Sequence, residues 1–432
     1  MCSRTRNSLF IGGVMQIRGI AVFLFFLLMG ASTTGAQSLD LVIRGGRVID
    51  PRNGIDAVMD VGIADGRVAE IAATISPARA VTVIDATGFV VTPGLVDLHT
   101  HVFYGTTPDS YLSDGYIAVQ PDAFSFRSGV TTVVDLGGSG WRNFIQFKEQ
   151  VVDRSQTRVL AFLNIVGNGM KGGPIEQNLA DMDSKLTAMR ATQFPEIVVG
   201  VKVAHYFGEE WDPVDRAVEA GRLANVPVAV DFGGHEPPLS LQSLLLEHLR
   251  PGDFLTHAYA KVDGRISLVD AAGRLRPFVF EARERGVLFD VGHGGGSFRF
   301  DQAVPSMRQG FPPDTISTDL HGGSMNGGMK DMLNVMSKFL NLGMSLSDVI
   351  DRSTWQAARV IDREDLGHLG VGAPADVAVL GIRHGTFGFL DVVGQTLPGD
   401  QKLEAELTVR GGRVVWDLNG RAGTPWRGAG EP

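Results

Sequence analysis

The segment Thr92-Pro93-Gly94-Leu95-Val96-Asp97-Leu98-His99-Thr100-His101 decides the fold of this chain. Small and apolar residues lead into two histidines, which predicts a short buried strand that ends in polar side chains. His99 and His101 are two residues apart, so a strand points both imidazoles to the same face. Two imidazoles that meet at one point can bind a divalent transition metal. Because α/β barrels carry their chemistry at the carboxyl ends of their strands, the pair predicts a metal site there.

Seven later segments repeat this pattern of an apolar, β-branched run that ends in polar or small residues. They are 131–138, 158–167, 196–205, 226–233, 253–259, 286–293 and 314–321. Amphipathic helical stretches lie between several of them, for example at 213–224 and 271–285. Continuous hydrophobicity is typical of parallel strands that are buried on both faces. The pattern therefore predicts an α/β fold, a (β/α)8 TIM barrel over residues 94–366, with an open doubly wound sheet as the alternative.

The two ends of the chain share the sequence Arg-Gly-Gly-Arg-Val, which starts at Arg44 and again at Arg410. Each copy is flanked by β-type runs, so each predicts a strand, a glycine turn and a second strand. Chain ends are often close in space. We therefore expect residues 37–93 and 367–432 to build one small β-sandwich domain together.

The N-terminus has the pattern of a secretory signal. Arg18 precedes the apolar run 20–29, and small residues follow as far as Ala36. The apolar run is short for a membrane span, although an uncleaved anchor is the alternative. We expect residues 1–36 to be a cleaved signal peptide, which predicts a secreted or periplasmic protein with no stable membrane anchor after cleavage.

Composition excludes several kinds of partner and site. The 432 residues are 44% hydrophobic and 20% charged, as in ordinary globular proteins, and the formal net charge is −9. This acidic balance argues against nucleic acid and against anionic membranes as partners. The only cysteine, Cys2, lies in the expected signal segment. The mature chain would then have no disulfide and no thiolate, so metal ligands must be His, Asp, Glu or a modified Lys.

Residues able to bind a metal or a substrate stand at most of the predicted strand ends. In chain order they are His99, His101, Lys202, Asp231, His257, His293 and Asp319. This set resembles the amidohydrolase superfamily, and in particular its amidohydrolase/deacetylase metallohydrolase branch, whose relatives include dihydroorotase and hydantoinase. The motifs that carry the resemblance are 93–101, 200–203, 256–257, 286–294, 317–321, 336–340, 366–369 and 375–376.

The resemblance implies a centre with two divalent metal ions, for which zinc is the expected element. His99, His101 and Asp319 would bind the buried ion, and His257 would bind the outer one. Lys202 would bridge both ions as a carbamate formed with CO2. An unmodified ammonium would repel a cation, whereas a carbamate is anionic and can bridge.

The fifth strand departs from the family pattern, because Asp231 stands where a histidine is usual. Asp231 can bind the outer metal through a carboxylate oxygen. His235, four residues later in a glycine-containing loop, is the alternative ligand. We favour Asp231 because its place on the strand fixes the direction of its side chain, and a site with one tightly held metal is a further alternative.

This set of residues and the resemblance together predict hydrolysis of a C–N amide bond in a small substrate, most simply an N-acyl amino acid or a similar carboxylate. A hydroxide between the two metals would attack the carbonyl, and Asp319 would act as general base and then as general acid. We expect His293, His205 and Tyr206 to contact the substrate. The sequence does not choose between Lys171 and Arg299 as the cation for a substrate carboxylate.

Other functions remain as alternatives at this point. A cyclic amidase of the dihydroorotase or hydantoinase type would use the same site, although export argues against a role in pyrimidine synthesis. A deaminase is a third enzyme alternative, although the sites of deaminases typically hold one metal ion and lack the bridging lysine. A secreted binding protein that has lost catalysis is the alternative from another class. The expected partner is a small-molecule substrate, and the sequence leaves homo-oligomer formation open.

Overall fold

The computed structural model describes residues 38–231, 235 and 238–426. The strands in this part are β1 (Leu39–Asp50), β2 (Ile55–Ala64), β3 (Arg67–Ala72), β4 (Ala80–Asp85), β5 (Val90–Pro93), β6 (Leu95–Thr100), β7 (Tyr104–Thr107), β8 (Val130–Gly140), β9 (Arg158–Asn164), β10 (Val198–Val203), β11 (Val228–Val230), β12 (Phe254–Leu255), β13 (Leu288–Phe289), β14 (Val377–Leu390), β15 (Thr396–Arg410) and β16 (Arg413–Asp417). The predicted signal peptide lies outside the described residues.

The helices of this part pack around the sheets. They are α1 (Pro121–Phe124), α2 (Phe144–Gln150), α3 (Ser184–Gln193), α4 (Asp212–Ala224), α5 (Leu241–Ser243), α6 (Pro277–Glu284), α7 (Phe300–Arg308), α8 (Met332–Asn341), α9 (Leu346–Arg352) and α10 (Trp355–Val360). Among these helices we find none with the length and apolar character that a membrane span needs.

A seven-stranded parallel sheet forms the larger part of the structure. Its strand order is β13-β12-β11-β10-β9-β8-β6. Neighbours in the sheet therefore follow one another along the chain, except that the short β7 lies between β6 and β8. Every residue of β6, β8 and β10 is buried. This burial on both faces explains why the strands show continuous rather than alternating hydrophobicity.

The predicted eighth strand is present as two isolated parallel bridges rather than a regular ladder. Leu320 pairs with Thr100 at one edge of the sheet, and Thr315 pairs with Asp290 just beyond the other edge. The structure therefore shows a curled, TIM-like sheet of seven strands, with the segment that carries Asp319 bridged to both of its ends.

Both ends of the chain build the second sheet, as the sequence predicts. Its order is β16-β15-β14-β5-β1-β2-β3, and β4 also pairs with β1. The strands form one hydrogen-bonded mixed sheet that branches at β1. The first half of β1 pairs with β4 at residues 39–44, and its second half pairs with β5 at residues 47–48. Both chain ends therefore contribute to one β structure, and its finer description as a sandwich stays a prediction.

The two Arg-Gly-Gly-Arg sequences have different structures. At the C-terminal copy, Gly411 and Gly412 make the predicted turn between β15 and β16. At the N-terminal copy, β1 continues through the glycines, and its register against β2 shifts between Ile43 and Gly46. The prediction of a turn there is wrong, because the pair of glycines is accommodated as a bulge within one strand.

Helix α8 connects the mixed sheet to the interior of the molecule. Residues 332–340 of this helix are all buried. The Ser337 hydroxyl accepts a hydrogen bond from the backbone amide of Leu403 in β15 at 2.9 Å, and the Asn341 amide donates to the carbonyl of Gln401 at 2.8 Å. The mixed sheet thus holds α8 in place, and α8 in turn carries Lys338 toward the strand ends.

Candidate metal centre

His99 and His101 meet Asp319 at the end of β6. The Nε2 atom of His101 lies 3.0 Å from Asp319 Oδ1, and the Nε2 atom of His99 lies 3.4 Å from the same oxygen. All three residues are buried. Asp319 has a left-handed backbone with φ of +53°, a conformation uncommon for residues with a β-carbon. The structure therefore brings together the residues that the sequence placed on the buried metal.

A chain of hydrogen bonds orients the His99 ring. Its Nδ1 lies 2.8 Å from the hydroxyl of Thr256, and that hydroxyl donates to Asp290 Oδ2 at 2.8 Å. Thr315 and Ser317 also donate to Asp290, so this carboxylate acts as an acceptor. Since the single hydroxyl proton of Thr256 goes to Asp290, His99 Nδ1 carries a proton that it donates to Thr256. The lone pair of His99 is then on Nε2, which faces Asp319.

His257 is oriented by the backbone. Its Nδ1 donates to the carbonyl of Gly292 at 2.6 Å, because a carbonyl can only accept. The lone pair of His257 is therefore also on Nε2. Gly292 has φ of +44°, and a β-carbon at this position would lie 2.9 Å from the Nδ1 atoms of both His257 and His99. Only glycine leaves room for these two rings to approach the backbone.

Three of the buried residues already form a group of suitable dimensions for a metal. One ligand atom each from His99, His257 and Asp319 lies within 4.8 Å of the others. The Nε2 lone pair of His99 faces a carboxylate oxygen, so two acceptors oppose each other at 3.4 Å. Such an arrangement needs a cation between the two atoms, and imidazole and carboxylate are both ligands that zinc takes. The residues present fit a divalent metal.

The electrostatics of the group agree with this donor set. Burial lowers the pKa of His99 well below its ordinary value and lowers that of His101. Burial raises the pKa of Asp319, but the neighbouring His99 and His101 outweigh that effect and hold it well below its usual range. Neutral imidazoles and an ionised carboxylate are the forms that bind metals.

Lys202 lies beside this group at the end of β10. Its side chain is fully buried, and its Nζ has no hydrogen-bond partner among the described residues. Burial lowers its pKa. A buried amine without a hydrogen-bond partner costs desolvation free energy. Conversion to a carbamate that binds metal ions would remove that cost. The structure is compatible with the predicted bridging role, which stays a prediction.

Asp231 lies next to His257, after the end of β11. Its Oδ2 is 3.3 Å from His257 Nε2, and its Oδ1 forms an ion pair with Arg265. The backbone amide of His235 donates to the carbonyl of Gly264 at 2.8 Å. Of the two candidates for the fifth-strand ligand, the structure places Asp231 against His257.

His205, which the sequence assigns to substrate contact, lies in the same cluster. Its Nε2 is 3.5 Å from Asp231 Oδ2, and its Nδ1 is 2.9 Å from Glu176 Oε2. Burial lowers the pKa of His205, but the carboxylates of Glu176 and Asp231 have the larger, opposite effect. The pKa of His205 is therefore above its ordinary value. The structure therefore places the His205 ring next to Asp231 and His257, although in sequence His205 follows the strand that carries Lys202.

Comparison with known proteins agrees with this arrangement. The chain matches no protein-family model. It is 31% identical over 372 residues to a deacetylase of Brucella anthropi, and this match covers 83% of this chain and 88% of that protein. The chain belongs to the amidohydrolase superfamily. A deacetylase of Agrobacterium fabrum is 33% identical over 326 residues, covering 73% of this chain and 76% of that protein. The predicted family resemblance is confirmed.

Solved structures of the superfamily share the fold. A crystal structure of an adenine deaminase superposes with a TM-score of 0.79 at 27% identity, covering 88% of this chain and all of that chain. A crystal structure of a dihydroorotase superposes with a TM-score of 0.76 at 29% identity, covering 87% of this chain and 99% of that one.

Two other predicted substrate contacts have partners of their own in this member of the superfamily. His293 is fully buried and stacks on Phe298 at 4.5 Å. Its Nδ1 donates to the Gly294 carbonyl, and its Nε2 accepts from Lys338 Nζ at 2.6 Å. The hydroxyl of Tyr206 donates to Glu210 at 2.6 Å. A hydrogen bond from His293 to a substrate would have to replace one of its two bonds, whereas the Tyr206 hydroxyl can still accept. Both substrate contacts stay predictions.

Sequence reasoning missed the residues that orient the ligands. Thr256 and Asp290 were part of quoted motifs without a role, and Glu176, Arg265 and Lys338 were given none. Glu176 and Arg265 lie outside the predicted strands, so no periodic pattern marks them.

Proposed function

We propose that this chain is a metal-dependent amidohydrolase that removes an acyl group from a small N-acyl amino acid or a similar carboxylate. The observation that carries the proposal is the set of imidazole lone pairs and carboxylate oxygens that face one another around His99, His257 and Asp319. Similarity to two curated deacetylases over most of the chain favours an amide bond of an acyl group.

The proposed centre holds two divalent ions, with zinc as the expected element. His99, His101 and Asp319 would hold the first, and His257 and Asp231 the second. Lys202, as a carbamate, would bridge them, which the unpartnered Nζ supports. We further infer that the seven strands and the bridged segment 314–321 together form the barrel wall around these residues.

Asp319 is the proposed proton carrier. A bound divalent ion would polarise the substrate carbonyl and acidify the attacking water. Oδ1 of Asp319 faces His99 and His101, which leaves Oδ2 for the proton, with His321 Nε2 3.9 Å away. Asp319 takes a proton from water as the oxygen adds to the carbonyl carbon. It then gives that proton to the leaving nitrogen as the C–N bond breaks.

A cavity beside the metal residues is the proposed substrate pocket. It has a volume of about 710 Å3, and Tyr111, Lys171, Glu176 and His205 are among the residues that line it. The ammonium of Lys171 has no ion pair in the described part of the chain. Arg299, the other candidate cation, is bound through two nitrogens to Asp301. We therefore propose Lys171 as the group that binds the substrate carboxylate.

A substrate panel tests this function. Purified protein would be assayed with both enantiomers of N-acetyl and N-formyl amino acids. Dihydroorotate, a hydantoin and adenine would be assayed in parallel as substrates of the alternative functions. We expect release of acetate or formate, and Asp319→Asn should abolish it while the protein stays folded. Turnover of dihydroorotate, a hydantoin or adenine alone would overturn the deacetylase proposal. If the protein bound one of these compounds but hydrolysed none of them, the result would favour the alternative of a binding protein that has lost catalysis.

A further inference from the structure

The contacts of His205 define which of its two nitrogens can bind a cation. Nδ1 lies 2.9 Å from Glu176 Oε2, and Glu176 is 1% exposed. A carboxylate accepts, so His205 Nδ1 donates and carries the proton. The lone pair of the neutral ring is then on Nε2. Metal-binding histidines commonly donate the N–H of the ring nitrogen that does not bind the metal to a carboxylate, which fixes the orientation of the ring.

Nε2 of His205 points at the same oxygen as Nε2 of His257. Asp231 Oδ2 is 3.5 Å from the first and 3.3 Å from the second. Ligand atoms that share a tetrahedral zinc are about 3.4 Å apart, because each lies 2.0–2.1 Å from the metal. Both His205 and His257 have Nδ1 bonded to acceptors, so two lone pairs face one carboxylate oxygen. A metal ion between these atoms would remove the repulsion among the acceptors, and the alternative is a proton on Nε2 of His205, which would make an ion pair with Asp231.

The backbone around His205 is held in an unusual conformation. Its φ is +53°, which residues with a β-carbon rarely adopt. The side chain of Gln177 fixes this turn on both sides: its amide nitrogen donates to the His205 carbonyl at 2.6 Å, and its oxygen accepts from the amide of Phe207 at 2.9 Å. A turn secured in this way directs the ring toward Asp231, and such conformations cluster at functional sites.

We propose that His205 is a ligand of the second metal, together with His257 and Asp231, and that Glu176 is its positioning residue. This inference rests on the proposed metal-dependent function. It replaces the predicted substrate contact of His205 with a direct bond to the ion. The side chain of His205 is 34% exposed and lines the 710 Å3 cavity, so an ion bound there is open to a substrate carbonyl.

The test compares metal binding by the full chain and three variants. His205→Ala removes the ligand, and Glu176→Gln keeps the size of the positioning side chain without its charge. His248→Ala is the matched control, because His248 Nδ1 also pairs with a carboxylate, Asp215, at 2.7 Å. Metal per chain would be measured by elemental analysis, affinity by zinc titration, and ligand geometry by the visible absorption of the Co2+ form.

We expect the wild type and His248→Ala to bind two ions per chain and His205→Ala to bind one. Glu176→Gln should weaken the second ion roughly 10- to 100-fold and change the Co2+ spectrum, which keeps the test decisive if His205→Ala does not fold. Two ions in His205→Ala, or unchanged second-ion affinity in Glu176→Gln, would mean that His205 is only ion-paired between two carboxylates, and would overturn the inference. A wild type with one ion overturns it as well, whereas a wild type with none refutes the proposed function itself.

Discussion

Replacement of Gly137 by alanine should displace Lys202 and also destabilise the fold. Gly137 has φ of +96°, and a β-carbon there would lie 2.7 Å from Lys202 Cγ and 3.0 Å from Lys202 Cβ. Both atoms belong to the stem of a fully buried side chain, so the stem cannot move into solvent. Gly137→Ala should therefore push the Lys202 Nζ away from its position beside the metal residues.

The size of the effect follows from a matched variant. Gly343 has φ of +97°, and a β-carbon there would meet nothing within 4 Å. Gly343→Ala should cost only the strain of a left-handed alanine, about 1–2 kcal/mol. Gly137→Ala carries the same strain and also overpacks the interior, which adds about 1–3 kcal/mol.

The assay measures the thermal unfolding midpoint and the metal content of both variants, each against the wild type. We expect Gly137→Ala to unfold at a lower temperature than Gly343→Ala and to lose bound metal and hydrolysis, while Gly343→Ala keeps both. If Gly137→Ala matched Gly343→Ala in midpoint and kept the metal content of the wild type, the reasoning about Lys202 would be refuted.

Three further changes give distinct results. Thr256→Val should lower metal affinity roughly 10- to 100-fold, because it removes the hydrogen bond that orients His99; unchanged affinity in a zinc titration would contradict this. Lys171→Gln should raise KM for substrates with a carboxylate while kcat changes little, and an equal effect on an uncharged amide would argue against the assignment. Burial lowers the pKa of Lys338 to about 7, so the unfolded chain holds this proton up to a higher pH than the folded protein does. The free energy of unfolding should then rise by about 1.4 kcal/mol per pH unit from this group between pH 7 and pH 10. Lys338→Met should remove that slope in denaturation experiments across this range, and an unaltered slope would show that Lys338 stays charged.

The sequence was sufficient to predict the parts of the site that depend on strand geometry. His99 and His101 follow from alternation along β6, and Asp319 follows from a polar residue at the end of an apolar run. The parallel sheet could be predicted because burial on both faces leaves a continuous hydrophobic pattern. The shared Arg-Gly-Gly-Arg sequence indicated correctly that both chain ends build one sheet.

The remainder depends on contacts between distant segments. His205 leaves β10 in a left-handed turn, and no alternation rule gives the direction of a side chain after such a turn. Its partner Glu176 is 29 residues earlier in a short 3-10 helix, and Arg265 is 34 residues after the Asp231 that it pairs with. The bulge in β1 was interpreted as a turn because two glycines permit either structure.

Metal dependence is the central claim, and metal removal and replacement test it most directly. Protein purified without added metal would be analysed for bound ions, stripped with a chelator, and assayed for acetate release from an N-acetyl amino acid before and after addition of Zn2+. The account predicts bound divalent ions, loss of hydrolysis on stripping, and its return with Zn2+. Full hydrolysis by protein shown to be free of metal would contradict it.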